Sequence, residues 1–395
     1  MPAWLSGGGA LEEWRGRRGT LWYGYGISFT TSLVNGLVAP VVPLFSLRLG
    51  ASPLELGLIG SVGAAVYVFF ALLMGRLSDR VGRKTPILLF LLLFGGLNAL
   101  YSLAMLPVHI IALKFVEGLT WGMFWPSVEA LIADASAPDT TRVAPKFNVV
   151  WSTGTLVGAL LAAPWTLPGM ERMLFRLLVG VAWGAGIIGL VLVKENPRPY
   201  TVDNPEPPRG RRPSLEVVFA LPVAWIGAFA YAFVSGTILA LYPAYAKSLL
   251  VSGPLIAFAI FLYMGGKSVA FVYALRRRSI TARVASLAML LIALAMAPFA
   301  LTANFTLHLI SAFISGFGAG MVYSYALVAA LTRDPRRRGI YAGVFESSLG
   351  IGFLVGPVLA GAWAETLATG PYVLCMTMAV ATFLLSLVVR RRRAQ

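Results

Sequence analysis

The chain has 395 residues, 58% of them hydrophobic and only 12% charged, with a formal net charge of +16. Soluble domains carry about a quarter charged residues, so an ordinary globular protein is excluded and an integral membrane protein is indicated. The basic residues lie in short clusters between apolar runs, which marks their excess as topology and argues against a nucleic-acid surface; the single Cys375 excludes an intrachain disulfide and a cysteine-based metal site.

Residues 1–19 are polar and glycine-rich and read as a cytoplasmic tail. The apolar run that follows is too long for the core of a secretory signal and reads as a first membrane helix, 20–47. Segments 54–77, 85–105, 107–133, 143–166 and 173–193 follow. Each approaches or exceeds the roughly twenty apolar residues needed to satisfy the backbone within lipid. Between the second and third stands GRLSDRVGRK, Gly75 to Lys84, with five charges and two glycines. The run Lys194 to Ser214, rich in proline and charge, reads as a cytoplasmic linker over 194–214. Beyond it come segments 215–246, 254–275, 280–301, 305–332, 339–366 and 370–389, then a basic tail, 390–395. Bundles over 20–193 and 215–389 are expected, six helices in each.

With both termini taken as cytoplasmic, 26 of the 32 basic residues fall inside; Arg48, Arg172, Arg176 and Lys247 fall outside, and Lys114 and Lys267 lie within spans. This asymmetry, repeated loop after loop, orients the chain by the positive-inside rule. His109 and His308 sit at the outer ends of spans and read as interfacial side chains.

The halves repeat one another weakly. Gly154 and Gly158 of the fifth span recur 198 residues later as Gly352 and Gly356, the latter followed by Pro357; Gly118 and Gly122 recur as Gly316 and Gly320. Small residues four apart let helices approach closely in lipid. Their matched placement points to helices that slide or rock against a neighbour.

On these residues the chain resembles the major facilitator superfamily over essentially its whole length. Gly75, Leu77, Asp79, Arg80, Gly82, Arg83 and Lys84 match that family's loop signature G-x-L-x-D-R-x-G-R-K between helices two and three. Lys114-Phe-Val-Glu117-Gly118 stands where members carry R-x-x-Q-G, and Gly154 to Ala163 follows the antiporter pattern of helix five with Ala159 in place of its proline. The resemblance implies an all-α membrane fold of twelve helices in two pseudo-symmetric six-helix bundles working by alternating access. It also implies a conformational latch of Gly75, Asp79, Gly82 and Arg83, with Asp79 at the amino end of helix eleven and Arg83 paired to an acid at the end of helix four, here Asp134. A carboxylate is favoured at a helix N-terminus on physical grounds alone.

Five ionisable residues fall within spans: Lys114, Glu117, Glu129, Lys267 and Glu346. A charge in the bilayer is costly unless paired or wetted, so function is the default reading. Lys114, Glu117, Trp121, Trp125 and Glu129 share one face of helix four. Glu117 or Glu346 is expected to carry a coupling proton, with Lys114, Lys267 and Glu129 as further candidates. Tyr25, Thr31, Asn35, Trp121, Trp125, Trp151, Tyr231, Tyr323 and Tyr325 are the expected substrate-cavity residues, since an aromatic pocket with one or two carboxylates suits lipophilic or cationic solutes. Tyr242, Trp22 and Tyr372 read as interfacial anchors.

The expectation is therefore a monomeric multi-pass plasma-membrane transporter that exports small amphipathic or cationic molecules using a proton gradient, with no cofactor, no metal, no enzyme motif and no nucleic-acid partner. Import of a sugar, organic acid or amino acid is one alternative, for which Lys114 and Lys267 would suit an anionic solute. A non-transporting sensor on the same scaffold is the other.

Overall fold

The computed structural model describes residues 8–136, 143–192, 220–277, 280–333 and 338–392, with side chains for all of these except 8–17, 71–80, 133, 134, 136, 143–145, 148, 331, 338–340, 342 and 392. Among the described residues there are twelve α-helices. They are α1 (Gly8–Arg48), α2 (Pro53–Val81), α3 (Lys84–Leu103), α4 (Pro107–Ser136), α5 (Val143–Leu161), α6 (Met170–Leu192), α7 (Pro222–Ser248), α8 (Gly253–Arg276), α9 (Ala282–Leu301), α10 (Phe305–Thr332), α11 (Arg338–Ala364) and α12 (Gly370–Arg392). Ten of them are long and apolar enough to cross a membrane. The other two are α4, which carries Lys114, Glu117 and Glu129, and α5, whose apolar part is the shorter Val149–Leu161.

Local chemistry sets the helix ends. Proline, which lacks an N–H and suits a first turn, opens α2, α4 and α7. Ser52 and Glu55 close a reciprocal capping box on α2, Thr281 caps α9, and Asn304 caps α10. Gly82 separates α2 from α3 at φ 89°, a backbone state open to glycine at little cost. Helix α1 starts twelve residues before the expected membrane boundary, because Leu11, Glu12, Glu13, Arg15, Arg17 and Arg18 are good helix formers that extend the rod beyond the apolar segment. Helix α5 stops at Leu161, short of 166, and a 3-10 turn over Ala163–Thr166 takes up Pro164.

The helices pack as two bundles of six. One core centres on Phe90, Phe124, Phe175 and Ile132, the other on Phe233, Tyr263, Phe299 and Tyr372. Helices α3, α6, α9 and α12 carry rows of exposed apolar side chains, among them Leu92, Ile187, Leu294 and Leu384, as lipid contact requires. The repeated glycines hold equivalent crossings. Gly154 and Gly158 of α5 lie on the backbone of α1 at Phe29 and Leu33, while Gly352 and Gly356 of α11 lie on the backbone of α7 at Phe229 and Phe233. A side chain at Gly158 would place its Cβ 2.0 Å from the Leu33 carbonyl oxygen, which explains why only glycine serves there.

The end of the bundle holding the α1–α2 and α7–α8 turns is here the outer end; the end where α1 begins and α12 finishes is the inner end. Arg48 and Arg172, two of the basic residues that fall outside in the charge count, are bound into outer loops. Arg48 meets Glu171 at 3.0 Å and the Thr166 carbonyl at 3.1 Å, and Arg172 donates to the Ser102 and Ala104 carbonyls at 2.8 Å.

Candidate functional site

Helices α2 and α5 of the first bundle face α11 and α8 of the second. At the outer end this seam is tight. Gly57 abuts the Pro357 backbone, Gly361 abuts Pro53, and Gly253 abuts Thr166. The Glu365 carboxylate at the end of α11 accepts a hydrogen bond from the Leu54 N–H in the first turn of α2, at 2.9 Å. A carboxylate is favoured there by the free amides and the helix dipole.

Below this seam lies a cavity of about 430 Å³ walled by α1, α2 and α4 on one side and by α7 and α11 on the other. Its walls include Asn35, Tyr67, Lys114, Glu117, Trp121, Trp125 and Phe353. The shared face expected on α4 therefore does line a cavity. Within it Glu117 is heavily committed: Lys114 Nζ stands 2.9 Å away, Trp121 Nε1–H donates at 3.1 Å, and the Tyr101 hydroxyl donates at 2.5 Å. Trp121 is held between Phe90 and a stacked Trp125, with ring centroids 5.0 and 5.7 Å away. This wall thus offers flat aromatic surface beside an internally neutralised ion pair.

A second cavity of about 120 Å³ lies toward the inner end, lined by Trp151, Phe271, Arg277 and Tyr323 among others. The Trp151 and Phe271 rings meet across the two bundles at 5.8 Å. Tyr231 is buried against Tyr323 at 5.1 Å and Phe353 at 6.2 Å, and so stands between the two cavities.

Glu129 and Glu346 lie at similar depth on facing bundles. Counted from the inner ends of α4 and α11, both lie about 10 to 12 Å deep at 1.5 Å per residue. Both are exposed, and they are close enough for their charges to interact across the seam. Tyr67 of α2 and Tyr323 of α10 are within electrostatic reach of both.

The remaining expected residues are dispersed. Thr31 is buried and spends its hydroxyl on the Ile27 carbonyl at 2.7 Å. Tyr25 and Tyr325 are half-buried at the margins of their own cores. Lys267 is half-buried with its ammonium over the Tyr231 and Tyr263 rings. Gly75, Asp79 and Asp134 fall among residues whose side chains and surroundings lie outside the described set; Gly82 and Arg83 stand at the turn between α2 and α3. Tyr67, Tyr101 and Phe353 join the site without having been anticipated. Only Tyr67 had a visible signal, as the one hydroxyl in the apolar run AAVYVFF. Among the described residues no cluster of His, Cys, Asp and Glu could hold a metal ion.

Comparison with known proteins agrees with this architecture. The sequence profile of the Major Facilitator Superfamily matches residues 24–324 and 224–395. A gentisate transporter of Corynebacterium glutamicum is 32% identical over 142 residues, 35% of this chain and 31% of its own length. A quinolone resistance protein of Staphylococcus aureus, NorA, is 31% identical over 101 residues, 26% of each chain. These matches span a third or less of the curated relatives. The crystal structure of a bacterial homologue of the human lysosomal transporter Spinster, in an inward-facing, unoccupied conformation, superposes with a TM-score of 0.70 at 16% identity. That superposition covers 94% of this chain and 95% of the other. With a profile that covers nearly all of its length and the twelve-helix, two-bundle fold, the chain belongs to the Major Facilitator Superfamily and is a multi-pass membrane protein, as expected of a plasma-membrane transporter.

Proposed function

We propose that this protein is a secondary transporter that exports small amphipathic solutes by alternating access, in exchange for protons, and that Glu129 and Glu346 together carry the proton. The observation that carries the reading is that one carboxylate from each bundle, at similar depth from the inner end, lies within electrostatic reach of the other, while the outer end of the seam is held shut by α2 and α11. Two like charges resist being closed against one another in a poorly hydrated seam unless a proton sits between them. The pair would take up a proton from the outer side while the inner end is closed and release it inside when the inner end opens and the two carboxylates part, which ties inward proton movement to the return of the bundles after the solute has left. Glu117 is less suited to this task, since its carboxylate is already committed to three donors, one of them cationic.

The same commitment of Glu117 weakens a cationic solute as cargo, while the indole and phenol faces around the cavity favour flat apolar bodies. Likeness to NorA, a quinolone resistance protein, favours export of a flat aromatic solute. Likeness to a gentisate transporter favours an aromatic solute as well, and its uptake with protons is the second reading. The latch of Asp79 and Arg83 with Asp134 is retained in this proposal as the inner-end closure. Replacing Glu129 and Glu346 by glutamine, singly and together, in reconstituted protein tests the assignment. Solute-linked proton flux should vanish while solute binding persists, and undiminished flux in the double variant would refute it.

A further inference from the structure

Two lysines lie inside the helical body, and the protein treats them differently. Lys114 in the first bundle meets Glu117 at 2.9 Å. Lys267 lies near the middle of α8, and among the described residues no carboxylate stands within ion-pair distance of it. Glu346, an acid of the same bundle, is within electrostatic reach of Tyr323, Tyr67 and Glu129 and makes no ion pair with Lys267 among the described residues. What surrounds the ammonium instead is aromatic: the Tyr263 ring centroid is 5.2 Å away and that of Tyr231 is 5.7 Å away.

These rings are well held. Tyr263 is fully buried with its hydroxyl bonded to Ser235 at 2.6 Å, and Tyr231 is wedged against Tyr323 and Phe353. Phe353 belongs to the wall of the larger cavity and Tyr323 to that of the smaller. An unmatched cation at this depth is costly, and two cation–π contacts return only part of that cost. A structural lysine would be better replaced by an apolar residue; one kept as a cation needs an anion that is present only part of the time.

We infer that Lys267 is the anchor for the anionic head of the transported solute, so that the cargo is an aromatic or amphipathic organic anion whose ring lies in the larger cavity against Phe353. This deepens the transporter reading and rests on it. The cation supplies a charge-assisted hydrogen bond to a carboxylate, and the surrounding rings supply stacking area. A neutral amide of the same shape keeps only the second of these.

The test is equilibrium binding, measured by intrinsic tryptophan fluorescence of the purified full-length protein without any gradient. Three probes of one shape are used: 2-naphthoate, 2-naphthamide and 2-naphthylmethylammonium. The wild type should bind naphthoate at least about tenfold more tightly than the amide, with the ammonium compound weakest. Lys267→Gln should lose that preference while still binding the amide, and Lys267→Arg should keep it. Equal affinities, a preference for the ammonium compound, or no saturable naphthoate binding in the wild type would overturn the inference without any variant being made. Anion preference combined with flux indifferent to a pH gradient would leave this inference standing and sink proton coupling; gradient-driven flux of the ammonium compound with no naphthoate binding would do the reverse.

Discussion

Removing one partner of the Lys114–Glu117 pair should be far more damaging than removing both. The side chains are only 19% and 12% exposed, and Glu117 also accepts from Tyr101 and Trp121. Glu117→Gln keeps an acceptor for those two donors but leaves the ammonium without its counter-charge, and Lys114→Met leaves the carboxylate without its cation. Breaking a buried pair from one side costs about 3 kcal/mol at the lower end of its range, the end appropriate to a site beside a cavity. At the unfolding entropy of ordinary domains, a chain of this length loses about 4 °C of apparent Tm for that amount. The double variant Lys114→Met/Glu117→Gln restores neutrality and retains the Tyr101 and Trp121 bonds, so its Tm should return to near the wild-type value. Thermal unfolding in detergent, run as a double-mutant cycle, measures the coupling directly. Single variants as stable as the wild type, or a double variant with the summed loss of both singles, would refute the reasoning. If proton exchange survives in a stable double variant, Glu117 is also eliminated as the coupling acid.

Other expectations follow from particular contacts. Gly57→Leu, whose Cβ would fall 2.3 Å from the Pro357 carbonyl oxygen, should hold the outer seam apart. An Asn35→Cys reporter should then react faster with an impermeant maleimide added from outside; background is low because the native Cys375 is buried. Glu365→Ala, which removes the cap on α2, should raise the same labelling rate to a smaller degree. Gly158→Leu should prevent folding, since its Cβ would meet the α1 backbone at 2.0 Å, whereas Gly180→Ala in α6 meets nothing within 4 Å and should gain up to about 1 kcal/mol. Leu250 follows α7 at φ 62° and is almost fully exposed, so Leu250→Gly should relieve about 1 kcal/mol of backbone strain and raise Tm.

Much of the fold was legible because lipid leaves few choices: long apolar runs, charged turns and the 198-residue echo of Gly154 and Gly158 define twelve helices and which of them cross closely. Helix ends were less legible. The early start of α1 and the break at Pro164 depend on local propensity and on a missing N–H, which apolar counting ignores. Within the site, the α4 face of Lys114, Glu117, Trp121 and Trp125 was readable from spacing along one helix. Contacts made between helices were not. Nothing in the spacing places Tyr101 of α3 on Glu117, Glu365 of α11 on the first turn of α2, or Glu129 within electrostatic reach of Glu346, since each is created by how separate rods pack. Thr31 shows the converse, a polar residue on the expected helix whose hydroxyl is used by its own backbone.

The central claim, that solute movement and proton movement are one coupled cycle, is tested most directly in sealed proteoliposomes of the wild-type protein. Small aromatic acids, amides and amines are supplied on one side and a pH gradient is imposed with no solute gradient. The account predicts that at least one solute is moved uphill toward the more acidic compartment, and that its direction reverses when the pH gradient is reversed. Solute movement that runs only down its own gradient and ignores the imposed pH difference, or no movement of any of them, would contradict it.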